Sequence, residues 1–298
     1  MSKLISSVYF GTIYMQHSFR LSIQCPDQVG LVAQVSQFLA QYGATILEAN
    51  HHTDLSTKRF FMRHEIQADS VDLDMATFEA AFTPIANKFN MDWTISDPAR
   101  LPKVALLASH ETHCLADILH RWHTGELNCD IPCIIANHEK IADIAAWYKV
   151  PFYFVDFKGQ DKANAFAQIE NTLAKYDIDT VVLARFMQIL PEAMCSKWHG
   201  HAINIHHSFL PSFAGAKPYQ QAYDRGVKLI GATCHYVTSD LDEGPIIEQQ
   251  VMRISHSDAA ADMVRKGRDC EKTALANGLR YHIEDRVMID KNKTIVFA

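Results

Sequence analysis

Residues 103–108 read KVALLA, and the continuous apolar run from Val104 to Ala108 predicts a short strand that is buried on both faces. Beyond it, apolar segments of strand length alternate with segments of helical periodicity. Further strands are predicted at residues 131–136, 152–155, 180–184 and 201–205, and helices at 115–119, 141–148 and 163–176. This alternation indicates a Rossmann-like α/β domain with a mostly parallel sheet. Ligands of such sheets bind at the carboxyl ends of the strands.

The first third of the chain has a different pattern. Residues 19–24 alternate apolar and polar side chains, as a half-buried strand does. A turn, a helix over 31–39, strands at 44–48 and 59–67, a helix over 74–89 and a strand at 91–95 follow. The order βαββαβ is typical of the ferredoxin-like fold. Pro98 and Pro102 lie between the two patterns and favour a linker, so we predict domains at 17–97 and 103–298.

Composition limits the classes of function. The 298 residues carry a formal net charge of −6, so no basic field favours nucleic acid or an anionic membrane as a partner. The seven cysteines form no CxxC pair, which favours a reducing compartment and predicts a cytoplasmic protein. No apolar stretch reaches the roughly 20 residues of a membrane helix. Residues 1–20 lack a continuous secretory core and are predicted to lead into the first strand.

The segment NIHHSFLP, residues 204–211, follows the predicted strand at 201–205. Asn204 and His206 are two positions apart, so both side chains can leave the strand on the same side. Asp242 occurs in the short acidic loop LDEGP, residues 241–245. An amide and an imidazole can hold an oxyanion while a carboxylate moves protons. The three residues therefore predict attack on a carbonyl without a nucleophile from the protein.

Two other interpretations of the histidine-rich segment are weaker. The first is a serine nucleophile, Ser208, with the adjacent His207 as its base. Neighbours in a strand point to opposite faces, and no G-x-S-x-G elbow is present, so this pair is not expected to act together. The sixteen histidines show neither the HExxH spacing nor that of a zinc finger, so we expect no metal.

The stretch CPDQVGLVAQVSQFLAQYGATI, residues 25–46, resembles an ACT domain. In that family the turn after the first strand and the following helix bind small amino-acid effectors, frequently where two domains pair. The resemblance implies effector contacts at Asp27, Gly30 and Leu31, glycine and methionine as effectors, and a homo-oligomer. The alternative is a module that only stabilises or dimerises the protein.

The second domain resembles the formyltransferase family that acts on 10-formyltetrahydrofolate. Asn204, His206 and Asp242 occupy the positions of that family's active-site signature. The segment LARFMQIL, residues 183–190, is similar to the segment that cradles the pterin ring. The resemblance implies that the substrate is bound by a set of side chains beside the three signature residues. These are Arg185, Met187, Ile189, Leu190, His235 and Glu243.

Two features resemble one branch, the formyltetrahydrofolate deformylases. An ACT-like domain precedes the catalytic domain, and the loop ASHETHC, residues 108–114, lacks the glycines with which transferases bind a phosphate-bearing acceptor. Water is then the expected acceptor, and the implied reaction releases formate and tetrahydrofolate without a cofactor. Asp242 would move protons, and His206 and Asn204 would hold the oxyanion.

Some of the resemblance leaves roles open. The family usually has Lys where His110 stands, and the roles of His110, Glu111 and Tyr219 are unassigned. A formyltransferase with an amine acceptor is one alternative. Another is a regulatory protein that senses amino acids and only binds folate.

Overall fold

The computed structural model describes residues 17–211 and 218–298. It contains two compact units, divided between Ala99 and Arg100. The prediction for residues 1–20 falls almost wholly on residues 1–16, which lie outside the described residues.

The N-terminal unit is a four-stranded antiparallel sheet with two helices. Its elements are β1 (Ser18–Pro26), α1 (Leu31–Gln41), β2 (Ile46–Asp54), β3 (Arg59–Gln67), a 3-10 turn (Ala68–Ser70), α2 (Met75–Phe89) and β4 (Asp92–Ser96). The strand order is β2-β3-β1-β4. This confirms the predicted βαββαβ ferredoxin-like fold.

Aromatic side chains from both helices form the centre of this unit. Phe38 of α1 lies edge-on to Phe78 and Phe82 of α2, with ring centroids 5.2 Å apart in each pair. Asp74 caps α2 by accepting a hydrogen bond of 2.8 Å from the backbone N–H of Thr77. The helices therefore cover the apolar face of the sheet.

The second strand differs from its prediction. The expected range was 44–48, whereas β2 extends from Ile46 to Asp54. β2 is an edge strand, and its residues 50–54 are the polar stretch NHHTD. An edge strand can carry polar residues on both faces, so apolar periodicity did not reveal its length.

The C-terminal unit alternates strands and helices around one large sheet. Its elements are β5 (Lys103–Ala108), α3 (His113–His123), β6 (Asp130–Ala136), α4 (Ile141–Trp147), β7 (Phe152–Phe154), α5 (Lys162–Tyr176), β8 (Thr180–Ala184), α6 (Glu192–Lys197), β9 (Ala202–His206), α7 (Pro218–Arg225), β10 (Leu229–Tyr236), β11 (Ile246–Arg253), α8 (Ala260–Ile283), β12 (Val287–Asp290) and β13 (Lys293–Val296).

The seven-stranded sheet has the order β11-β10-β9-β8-β5-β6-β7. The five strands from β9 to β7 are parallel, as predicted. β5 contributes to a hydrophobic core on each side, with Leu106 in one cluster and Leu107 in the other. The sheet is therefore covered by helices on both faces, and the fold-class prediction is confirmed.

β10 runs antiparallel to both of its neighbours, β9 and β11. Because of this reversal, the carboxyl end of β9 lies beside the middle of β10. Thr233 is opposite His206, and His235 is opposite Asn204. β12 and β13 form an antiparallel hairpin.

Helix α8 was missed by the sequence prediction. Residues Met263, Gly267, Cys270, Ala274 and Leu279 recur at three- to five-residue spacing and are all buried. Several of these residues are small, so their hydrophobic signal is weak. None of the helices in residues 17–211 and 218–298 combines the length and apolar character that crossing a bilayer requires.

Candidate active site

Asn204 and His235 form the base of the site. The two residues are directly opposite on β9 and β10, and opposite residues of an antiparallel pair point to the same face. Nδ2 of Asn204 lies 3.2 Å from Nε2 of His235, and Nδ1 of His235 lies 2.9 Å from the carbonyl oxygen of Tyr236. The carbonyl requires a donor, so His235 carries its proton on Nδ1 and accepts from Asn204 at Nε2. Burial lowers the pKa of His235, which fits this neutral form.

A close turn brings Asp242 to the strand ends. Asp242 has a left-handed backbone, φ 58°, which Asp and Asn tolerate better than most residues. A Cβ on Gly244 would lie 1.8 Å from the carbonyl oxygen of Tyr236, so only glycine allows the loop to approach β10 this closely. The backbone N–H of Tyr236 donates to the carbonyl of Pro245 at 2.9 Å. The loop is therefore fixed against the strand that carries His235.

The carboxylate of Asp242 lies against His206. Nδ1 of His206 is 3.1 Å from Oδ2 of Asp242, and Oδ1 of Asp242 is 3.8 Å from Nε2 of His235. The hydrogen bond from His206 lowers the pKa of Asp242 and outweighs its partial burial, which would raise it. Asp242 is therefore an anion at neutral pH, and it orients the His206 ring.

The other nitrogen of His206 remains available. Nε2 is buried, and no group among the described residues forms a hydrogen bond with it. Buried polar atoms are nearly always paired, so this ring nitrogen, which lies beside a cavity, is available to a water molecule or a ligand. With Nδ1 directed to Asp242, Nε2 is the atom that can contact a substrate.

A cavity of about 980 Å³ is lined by Asn204, His206, His235 and Asp242. It brings together the nine residues of the C-terminal unit for which the sequence predicted a catalytic or substrate-binding role. They are Asn204, His206, Asp242, Arg185, Met187, Ile189, Leu190, His235 and Glu243. This volume accommodates a ligand as large as a folate.

Apolar side chains form one wall of that cavity. Met187 and Ile189 are 59% and 69% exposed, although both are large and apolar. Leu190 is buried and belongs to one of the cores of the sheet. The sequence left open whether these residues line a pocket or fill the core. Met187 and Ile189 lie on the cavity wall, whereas Leu190 both lines the cavity and packs in the core.

A second polar cluster, centred on Glu271 of α8, was not predicted. Glu271 is only 1% exposed. It accepts hydrogen bonds from Nε2 of His113 at 2.8 Å and from the hydroxyl of Tyr219 at 2.7 Å. Nε of Arg185 lies 3.3 Å from Oε2 of the same carboxylate. Nothing in the sequence marks Glu271 as buried, because its neighbours along α8 are small or charged.

The electrostatics of this cluster stabilise a buried charge. Burial alone would raise the pKa of Glu271, but the hydrogen bond from His113 and the charge of Arg185 hold it below its usual value. Burial raises the pKa of Tyr219, which therefore remains a hydrogen-bond donor. Glu271 is thus an anion whose charge is compensated by its neighbours.

His113, Cys114 and Glu271 place potential metal ligands within 4.8 Å of one another. Cys114 is fully buried, and burial raises the pKa of its thiol well above the ordinary value. Glu271 already accepts two hydrogen bonds and lies beside Arg185. A neutral thiol and a guanidinium disfavour a divalent cation, so these residues fit a hydrogen-bonded network better than a metal site.

The expected effector residues lie in the turn between β1 and α1. Asp27 is exposed, and its backbone N–H donates to the carbonyl of Lys58 at 2.9 Å. Gly30 begins α1 with φ 95°, and the side chain of Leu31 is buried in the core. Of the three expected residues, Asp27 and Gly30 are exposed, whereas the side chain of Leu31 is not open to a ligand.

Two family models match the chain in agreement with this architecture. The formyl transferase model matches residues 102–279, and the ACT domain model matches residues 19–82. The formyltetrahydrofolate deformylase of Bacillus subtilis (strain 168) is 44% identical over 279 residues, which are 93% of each chain. The chain belongs to the formyltetrahydrofolate deformylase family.

Solved structures agree with this membership. The crystal structure of a formyltetrahydrofolate deformylase from Pseudomonas syringae pv. tomato str. DC3000 matches with a TM-score of 0.94 and 55% identity, over 96% of both chains. The phosphoribosylglycinamide formyltransferase of Anaplasma phagocytophilum matches with a TM-score of 0.61 and 32% identity. That match covers 96% of the transferase but only 67% of this chain. The formyltetrahydrofolate deformylase family, which accounts for both units, is the one that the sequence predicted.

Proposed function

We propose that the chain hydrolyses 10-formyltetrahydrofolate to tetrahydrofolate and formate, as its family membership indicates. The folate occupies the cavity of about 980 Å³, with its flat ring against the apolar wall of Met187 and Ile189. The formyl group then lies at the polar end, beside Asn204 and His206.

Water attacks the formyl carbon, and Asp242 accepts the proton that the water loses. The carbonyl oxygen becomes an oxyanion, which accepts hydrogen bonds from the amide of Asn204 and from Nε2–H of His206. His206 carries a proton on both ring nitrogens in this step, with Nδ1–H directed to Asp242. The C–N10 bond then breaks, N10 receives a proton from Asp242, and formate leaves after it has lost its own proton to solvent. Oδ2 of Asp242 accepts the hydrogen bond from His206, so Oδ1 is the oxygen that exchanges protons with the water and N10.

One observation carries this proposal. His206 and Asp242 are 3.1 Å apart at the end of a folate-sized cavity. Asp242 can accept a proton there, and His206 can donate a hydrogen bond to the oxyanion. The pair needs neither a nucleophile from the protein nor a cofactor. We therefore propose that no cofactor takes part.

The direct test is formate release by the purified protein from 10-formyltetrahydrofolate, without an amine acceptor. We expect multiple turnovers and stoichiometric tetrahydrofolate. Formyl transfer that requires an added amine would indicate a transferase instead. A folded protein that binds folate without turning it over would indicate the amino-acid-sensing alternative.

Residues 17–97 and 103–298 are proposed as a regulatory and a catalytic domain. The ACT match supports a small-molecule effector of the first domain, and the exposed turn at Asp27 and Gly30 is its proposed contact. Glycine and methionine are the proposed effectors, and a homo-oligomer is the proposed assembly. Equilibrium dialysis with each amino acid and sedimentation analysis test both points.

A cytoplasmic location is also proposed. All seven cysteines are buried thiols, and burial raises the pKa of Cys25 to about 11 and of Cys129 to about 12. Protonated thiols in a core suit a reducing compartment. Fractionation of the source cells tests this location.

A further inference from the structure

A second cavity, of about 570 Å³, lies beside the folate cavity. Arg185 and His207 line both cavities. The rings of His206 and His207 have centroids 5.1 Å apart, so the shared wall lies beside the imidazole that contacts the formyl group in the proposed function. The second cavity therefore adjoins the end of the folate cavity at which the proposed function places the formyl group.

The two carboxylates of this second cavity already have partners. Glu271 accepts from His113 and Tyr219, and Glu111 forms an ion pair of 2.7 Å with Arg268. The side chain of Arg268 is 47% exposed, which places the outer end of the cavity at the protein surface. A small molecule can thus pass between solvent and the shared wall.

Arg185 is unusual in two independent respects. Its backbone is left-handed, with φ 64°, a conformation that costs a non-glycine residue on the order of 1–2 kcal/mol. Its side chain is only 12% exposed, and Nε lies 3.3 Å from Oε2 of Glu271 but forms no hydrogen bond within the part of the chain that the structure describes. A strained residue with a buried donor that forms no hydrogen bond is characteristic of a site that binds a ligand.

The chemistry of that ligand follows from the guanidinium. Its fork of N–H donors matches the two oxygens of a carboxylate. Burial and the charge of Arg185 lower the pKa of His207 to about 4, so Arg185 is the cation of the shared wall at neutral pH. A small carboxylate would be held there by one charged contact, which is weak enough to allow release.

We propose that the second cavity is a binding and exit site for formate, with Arg185 as its carboxylate contact. This inference rests on the proposed function, because deformylation supplies the formate. Formate leaves past Arg185 towards Arg268 while tetrahydrofolate still occupies the larger cavity. Product release thus has two separate routes, and formate binding does not require an empty folate site.

The test compares the wild type with Arg185→Gly and Arg185→Gln. Glycine relaxes the left-handed backbone, which offsets part of the stability lost when the buried Glu271 loses its guanidinium partner. Circular dichroism verifies that both Arg185 variants are folded before formate binding is compared. Formate binding to the protein alone is measured with ¹³C-formate by NMR line broadening. Formate is also tested as an inhibitor at several concentrations of 10-formyltetrahydrofolate. Arg265→Gln, on the exposed face of α8, is the matched control.

We expect formate to be a noncompetitive inhibitor of the wild type and of Arg265→Gln. Its affinity should fall at least about tenfold in both Arg185 variants, as loss of a charge-assisted pair implies. Equal formate affinity in all four proteins would overturn the proposal. So would a raised KM for the folate with unchanged formate affinity, which would make Arg185 a folate contact. Because binding is measured without turnover, failure of the hydrolase assignment is recognised separately.

Discussion

Nδ1 of His206 lies 3.1 Å from Oδ2 of Asp242, although His206 ends β9 and Asp242 belongs to the loop that follows the next strand, β10. The contact leaves Nε2 of His206 as the ring atom available to a ligand. Orientation by Asp242 and contact with the substrate are therefore combined in one imidazole.

Asp242→Asn should reduce kcat by about a hundredfold or more, because the amide cannot accept the proton of the attacking water. Asn tolerates the left-handed backbone at this position, so the variant should fold and bind folate normally. Formate release and folate binding are measured in parallel. Asp240→Asn in the same loop is the control and should retain wild-type turnover. An active Asp242→Asn enzyme would contradict the proposed role.

Asn204→Ala should lower kcat by about 10²- to 10³-fold with little change in KM, as removal of an oxyanion donor does. His235→Ala should lower kcat less, because His235 acts only by holding Asn204 through the hydrogen bond of 3.2 Å. The double variant should be little worse than Asn204→Ala. Additive losses in the double variant would show that His235 acts independently of Asn204.

His282 should make the protein sensitive to acid. Its ring contacts the hydroxyls of Thr180 and Tyr236 at 2.9 Å each, and burial lowers its pKa to about 3. The unfolded chain takes up this proton below a pH of about 6.5, whereas the folded chain does not, so stability falls as the pH drops from 6.5 towards 3. The loss is about 1.4 kcal/mol per pH unit where the effect is complete.

Urea denaturation at pH 7 and pH 4.5 tests this effect. The free energy of unfolding of the wild type should fall by more than that of His282→Gln. The same pH dependence in both proteins would show that other groups cause the acid sensitivity.

Gly267 of α8 makes room for the ring of Tyr219. A Cβ at position 267 would lie 2.1 Å from Cζ of that ring. Gly267→Ala should therefore destabilise the protein by about 1–3 kcal/mol through overpacking. In a Tyr219→Ala background the same change should be neutral or stabilising by up to about 1 kcal/mol, because Ala favours a helix. Denaturant unfolding of the four proteins measures the coupling, and its absence would show that the two residues do not clash.

Much of the C-terminal unit could be predicted because its strands are buried on both faces. Segments such as residues 104–108 have no alternative to a central strand, and the polar residues that end them mark the functional edge. The spacing of Asn204 and His206 indicated a shared face in the same way. The approach of Asp242 to this pair was expected only from the family resemblance, since nothing local encodes a contact between distant segments.

The Glu271 cluster could not be predicted for a physical reason. Its charge is tolerated because four separate segments supply Glu271, His113, Tyr219 and Arg185, and no one segment shows this compensation. The length of β2 was hidden because an edge strand does not need apolar alternation. In both cases long-range packing, rather than local pattern, determines the outcome.

The left-handed backbone of Asp242 restricts which residues fit the loop, but it does not require the carboxylate that the reaction needs. Asp, Asn and Gly are the residues that this backbone accepts most readily, and of these only Asp carries a charge. Evolutionary drift within this group would preserve the loop, the cavity and the capacity to hold folate while removing the proton acceptor. A single substitution at this position would therefore give a folded protein that binds folate but does not turn it over.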